Sequence, residues 1–163
     1  MLRVEQLMVM LRPRSDVDEA IRILTGHPRL RRPERQYFVR DPVDFLYEDD
    51  DHVIELLLWK EGEYGGSDLC CSFALCHPDS IDACFAELIL ELACHLPADV
   101  SIWDERAGVC HRCNGADEDR LRQVLADKIQ RSRRSWQAVA GTGRARLTCG
   151  EAIQRFAPHL ARR

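Results

Sequence analysis

Apolar positions gather into dense runs separated by charged or Gly/Pro-rich breaks, and the spacing inside each run selects its element. Residues 2–11 alternate loosely, then turn apolar on both faces at Leu7, Met8, Val9, Met10 and Leu11, as an interior strand would. Pro13 stops it. Val17, Ala20, Ile21 and Leu24 fall at i, i+3, i+4 and i+7, with Ser15 before them as a cap, Asp18 at the capping-box position and Gly26 behind. This predicts a short helix after the first strand. Residues 27–35 carry four arginines and two prolines and read as an extended, exposed connection.

Residues 36–47 predict a strand interrupted at Asp41-Pro42, because proline brings no N–H to a ladder. The acidic run 48–51 turns it back into residues 52–60 as a hairpin. In 52–60 both faces are mostly apolar: Val53, Leu57 and Trp59 against Ile54, Leu56 and Leu58, with Glu55 near a wetter end. Residues 67–76 place Leu69, Cys71, Phe73 and Leu75 on one side and Cys70, Ser72, Ala74 and Cys76 on the other. The small side is the one expected to accept a close-packed helix.

That helix is the clearest signal in the chain. Ile81, Cys84, Phe85, Leu88, Ile89, Leu92 and Leu96 form one stripe at helical spacing, with Asp79 as N-cap and Pro97 as the stop. Residues 98–104 then form a strand parallel to 67–76, beside it or one strand removed, since such crossovers are right-handed and parallel. Both strands then end at the same edge of the sheet.

Residues 105–116 read as a loop and 117–139 as a long helix whose acidic start and basic finish suit the helix dipole. A last helix begins at the capping box Thr148 to Glu151. The order β-α-β-β-β-α-β-α-α predicts an α+β fold with a single mixed sheet, the first two helices on one face and the C-terminal helices on the other face or an end. This pattern resembles the ferredoxin-like and related split-sheet folds; it matches no family's motif residues, so the resemblance implies no activity. Residues 1–104 make the sheet core and 105–163 a loop and helical extension packed on the same domain.

Composition adds bounds. The 163 residues are 45% apolar and 31% charged, with a net charge of −4, which suits one ordinary globular domain and gives no support to a dedicated nucleic-acid binder. The apolar run at 7–11 is too short and too closely flanked by charge for a signal peptide, and no run approaches a membrane span, so a cytoplasmic location is the expectation. The eight cysteines sit largely within apolar patterns and read as free thiols.

Candidate chemistry is thin. Cys110-x-x-Cys113 supplies half of a structural zinc site, and the shared sheet edge offers Cys76 and His77 as the other two ligands. Arg29, Arg31, Arg32 and Arg35 form a basic loop suited to phosphates or an acidic protein surface, and Asp49, Asp50 and Asp51 an acidic hairpin tip. His77 and His95 read as packing residues. No phosphate-cradling loop, nucleophile elbow or metalloprotease motif is present. The leading expectation is a non-enzymatic protein that recognises a protein partner, as toxin-neutralising immunity proteins do, steered by its segregated charge. The alternative is a metal- or small-molecule-binding domain at Cys76, His77, Cys110 and Cys113. A nucleic-acid binder using the arginine clusters ranks third.

Overall fold

The runs that are apolar on both sides become the middle of a single sheet. A computed structural model describes residues 6–33, 41–62, 65–75, 77–104, 108–114 and 117–139. In chain order the elements are β1 (Gln6–Pro13), α1 (Val17–Gly26), β2 (Leu30–Arg31), β3 (Val43–Glu48), β4 (Val53–Trp59), β5 (Asp68–Ala74), α2 (Ile81–His95), β6 (Ala98–Asp104), β7 (Val109–Asn114) and α3 (Glu118–Val139). The fold is α+β. Among the described residues seven strands form one sheet in the order β2-β3-β4-β5-β1-β6-β7.

Every neighbouring pair is antiparallel, where the sequence pattern predicted a mixed sheet. The reason is the position of β1. It slots between β5 and β6, pairing Met10 with Cys70 on one side and Ser101 on the other. β5 and β6 are therefore parallel but one strand removed, and their C-terminal ends do share an edge. The predicted residue 105–116 loop is in part the hairpin strand β7, so the sheet continues past residue 104.

Side chains alternate across the sheet, and the register sorts them into two faces. Leu7, Val9 and Leu11 line up with Phe73, Cys71 and Leu69, then through β4 with Leu56 and Leu58, and through β6 with Val100 and Ala98. All are buried, and α1, α2 and α3 cover them with Ala20, Leu24, Phe85, Leu88, Leu92, Leu121, Leu125 and Ile129 in one core. Phe73 meets Phe85 edge to face at 4.8 Å. This corrects two expectations. The helix packs on the large side of β5, because only that side offers Phe73 and Leu69 to bury. The C-terminal helix α3 joins α1 and α2 on the same face instead of covering the other.

Arg133 fixes α3 there. Its guanidinium bonds the Asp82 carboxylate (Nε to Oδ1 2.9 Å) and donates to the carbonyls of Leu75, His77 and Pro78 at the turn into α2. The helix starts also differ from the predicted caps by one residue each. Asp16, not Ser15, accepts from the Glu19 N–H, and Ser80, not Asp79, is the N-cap residue of α2. The predicted strand at 36–39 and the helix after 148 lie outside the described residues.

Candidate functional site

Because all three helices lie on one side, the second face of the sheet meets no helix among the described residues. Its register can be followed strand by strand. One row runs Leu46, Glu55, Ser72, Met8; the next Asp44, Leu57, Cys70, Met10, Ser101, Arg112; the third Trp59, Asp68, Arg12, Asp99, Asn114. The β3 side is covered, with Asp44 and Leu46 each 4% exposed. The other half is open. Met8 is 51% and Trp103 52% exposed, and they lie two residues beyond the Met10–Ser101 pair at the same end of neighbouring strands. Trp103 in turn faces the exposed Cys110. At the opposite end Trp59 is 38% exposed. A bulky indole and a thioether are thus left half in water on adjoining strands. Ion pairs of Arg12 with Asp68 (3.1 Å) and Arg14 with Asp99 (2.7 Å) border this open half.

The acidic hairpin tip sits at the Met8–Trp103 end, beside the start of β4, about two strand spacings or roughly 10 Å from β1. Its three aspartates separate into two kinds. Asp50 and Asp51 are exposed. Asp49 is bound inward: its carboxylate accepts from the Tyr47 hydroxyl (2.7 Å), the backbone N–H groups of Asp51 and His52 (both 2.8 Å) and the His52 ring at Nδ1 (2.9 Å). Burial would raise its pKa, but these donors together hold it well below the usual carboxylate range. Burial also pushes the Tyr47 phenol up to about 12.

His52 continues the chain of bonds. Its Nε2 lies 2.9 Å from the Ser80 hydroxyl at the start of α2, so Asp49, His52 and Ser80 stand in the order of acid, base and nucleophile. A hydrolytic site also needs donors for a developing oxyanion. Here the N–H groups of Ile81 and Asp82 are already given to the Pro78 and Asp79 carbonyls at 3.0 and 3.1 Å. The relay's evident work is to fasten the β3–β4 turn to the start of α2. Nothing in the sequence pairs the turn with Ser80, which lies 28 positions on from His52.

The basic loop proves to be largely self-neutralised. Arg29 bonds Glu91 (2.7 Å) and stacks 4.8 Å above the Tyr47 ring, Arg31 bonds Glu48 through Nε (3.0 Å), and Arg32 lies 4.9 Å from the Phe45 ring centroid. Arg35 is outside the described residues. Its described neighbours pack on the short strand β2 and its flanks.

The three described members of the proposed zinc set, His77, Cys110 and Cys113, do not come together. Cys110 and Cys113 sit on one strand at an odd spacing, so Cys110 is exposed on the open face and Cys113 buried under α3. His77 lies past β5, three strand spacings or about 14 Å across the sheet from β7. Both its ring nitrogens are engaged, Nδ1 donating to the Ala74 carbonyl (2.7 Å) and Nε2 accepting from Val53 N–H (3.1 Å). Cys76 lies outside the described residues. What misled the sequence reading is that a hairpin strand alternates its side chains, whereas a zinc knuckle needs a turn that brings both thiols to one side.

No protein-family model, no curated protein and no solved structure matches this chain. No helix among the described residues is long and apolar enough to cross a membrane.

Proposed function

We propose that the chain is a binding protein that recognises a folded, basic protein partner through the open half of the sheet, with Met8 and Trp103 as the anchor. The observation that carries this reading is the pair of half-exposed apolar side chains on adjoining strands of a face that no described helix covers. Charge selects the partner's sign. Asp50 and Asp51 are exposed at the same end, the chain carries a net charge of −4, and Arg29 and Arg31 are engaged by Glu91 and Glu48. A cationic surface would be steered towards that end and then bury the apolar pair. An immunity-like role, capping the basic surface of a toxin, is the form of this reading that the arrangement suits.

The test is capture from the native host by immobilised protein, repeated with Met8→Ser/Trp103→Ala and with Asp50→Lys/Asp51→Lys. The proposal expects the first pair to abolish capture of a specific protein and the second to weaken it at low salt. Capture indifferent to both would sink it. Concentration-dependent dimerisation of the pure protein, lost in Met8→Ser/Trp103→Ala, would assign the surface to a second copy of the chain instead.

A further inference from the structure

We infer that His27, Glu91 and His95 form a binding site for a divalent cation of the zinc class, on the helical side of the sheet and separate from the open face. The three residues come from two places. His27 follows the last residue of α1, while Glu91 and His95 stand one turn apart near the end of α2, where an i, i+4 spacing puts them on one side of the helix. Their ligating atoms all lie within 4.8 Å of one another.

The observation that points to a missing partner is the His27 ring. Its side chain is only 2% exposed, and its Nε2 has no hydrogen-bond partner among the described residues. Glu91 Oε1 is 3.2 Å away but off the hydrogen-bond direction, so proximity has not produced a bond. A buried imidazole nitrogen without a bond is costly, and a cation between that nitrogen and the carboxylate would engage both.

The surroundings fit. Arg29 holds the second oxygen, Oε2, at 2.7 Å, which orients the carboxylate with Oε1 towards His27, the work a second shell does around a metal. The His95 ring stands edge-on to His27 with centroids 5.6 Å apart. Two imidazoles and one carboxylate match a three-ligand zinc set with a fourth position left for water. Metal–ligand distances of about 2.0–2.2 Å require the three atoms to close up. His95 is exposed and Glu91 half-buried, so both have room to move towards the fixed His27.

One rearrangement accompanies loading. In the structure the Arg29 backbone N–H reaches His27 Nδ1 at 3.2 Å, which puts the ring proton on Nε2. Binding through Nε2 would move that proton to Nδ1, where it would face the Arg29 N–H, so coordination would have to outweigh the loss of this bond.

Zinc or cobalt(II) titrated into chelator-treated full-length protein tests the assignment. One equivalent should bind and raise the thermal midpoint. Cobalt should give a visible spectrum of nitrogen and oxygen ligation without a thiolate charge-transfer band. His95→Ala, a change at an exposed position that leaves the fold intact, should abolish the stoichiometric binding, while Arg29→Met should weaken it roughly 10- to 100-fold. Cys110→Ser should change nothing. Binding unaffected by His95→Ala, a thiolate band, or no binding at all would overturn the assignment.

Discussion

The two faces of β5 show how differently one strand can be used. Towards the helices, Phe73 packs against Phe85 and Cys71 is shut away completely; on the reverse, Ser72 and Cys70 lead across the register to Met8 and Met10, and the covering thins until Met8 and Trp103 stand half in water. Both faces contain apolar residues, so hydrophobicity alone does not distinguish core from contact surface. The distinction is made by the helices. Once α3 is locked beside α2, no described helix is left to cover the reverse face.

If this division is right, changes on the two faces should have opposite profiles. Phe85→Ala on the helical side is expected to cost about 3–5 kcal/mol in urea unfolding, the largest effect here, because Phe85 is fully buried. Arg133→Met should cost about 2–3 kcal/mol, since it strips three carbonyls and the Asp82 carboxylate of their donor, and α3 should exchange its amides faster than the sheet. A uniform rise in exchange would show that α3 is not held separately.

Asp49→Asn should cost only about 1 kcal/mol at neutral pH, the carboxylate being partly exposed. Its pH dependence is the sharper readout. Because the folded pKa is depressed, the stabilisation by Asp49 is complete above the ordinary carboxylate pKa and drains away as pH falls towards the folded value. The gap between wild type and Asp49→Asn should therefore narrow from pH 7 to pH 3. A gap that widens would mean that the ion is not what the turn relies on. Smallest of all, Trp103→Ala should shift stability by no more than about 0.5 kcal/mol while removing partner capture. A loss comparable to that of Phe85→Ala would erase the contrast between the faces.

Much of this architecture could be read from the chain. The α2 stripe from Ile81 to Leu96 and the two-sided apolar character of β1, β4 and β5 led to an α+β fold with a central sheet. What was misjudged was which side the helices would choose: the small side chains of Cys70 and Ser72 suggested close packing, whereas the larger apolar area of Phe73 and Leu69 decides it. β7 was hidden for a different reason. Of Val109–Asn114 only Cys113 is buried, so the strand shows none of the alternation by which strands are recognised. The surface pair was invisible because Met8 and Trp103 are neighbours only through the β1–β6 pairing. The His27, Glu91 and His95 cluster needed the end of α1 to meet the end of α2. Asp49 was singled out as a surface acid, and its inward bonds depend on Tyr47, two positions back, sharing the same turn.

The position of β1 between β5 and β6 also bears on how the chain is made. β1 is an inner strand made before both of its neighbours, which are complete only when synthesis has passed Ala74 and then Asp104. Residues 7–11 therefore wait with both edges unpaired until Ala74 is made, and with one edge unpaired until Asp104. The β3–β4 hairpin can form early, from adjacent sequence. The sheet's closure is left to a late, long-range step, and the nascent chain is most open to aggregation or chaperone capture during that wait.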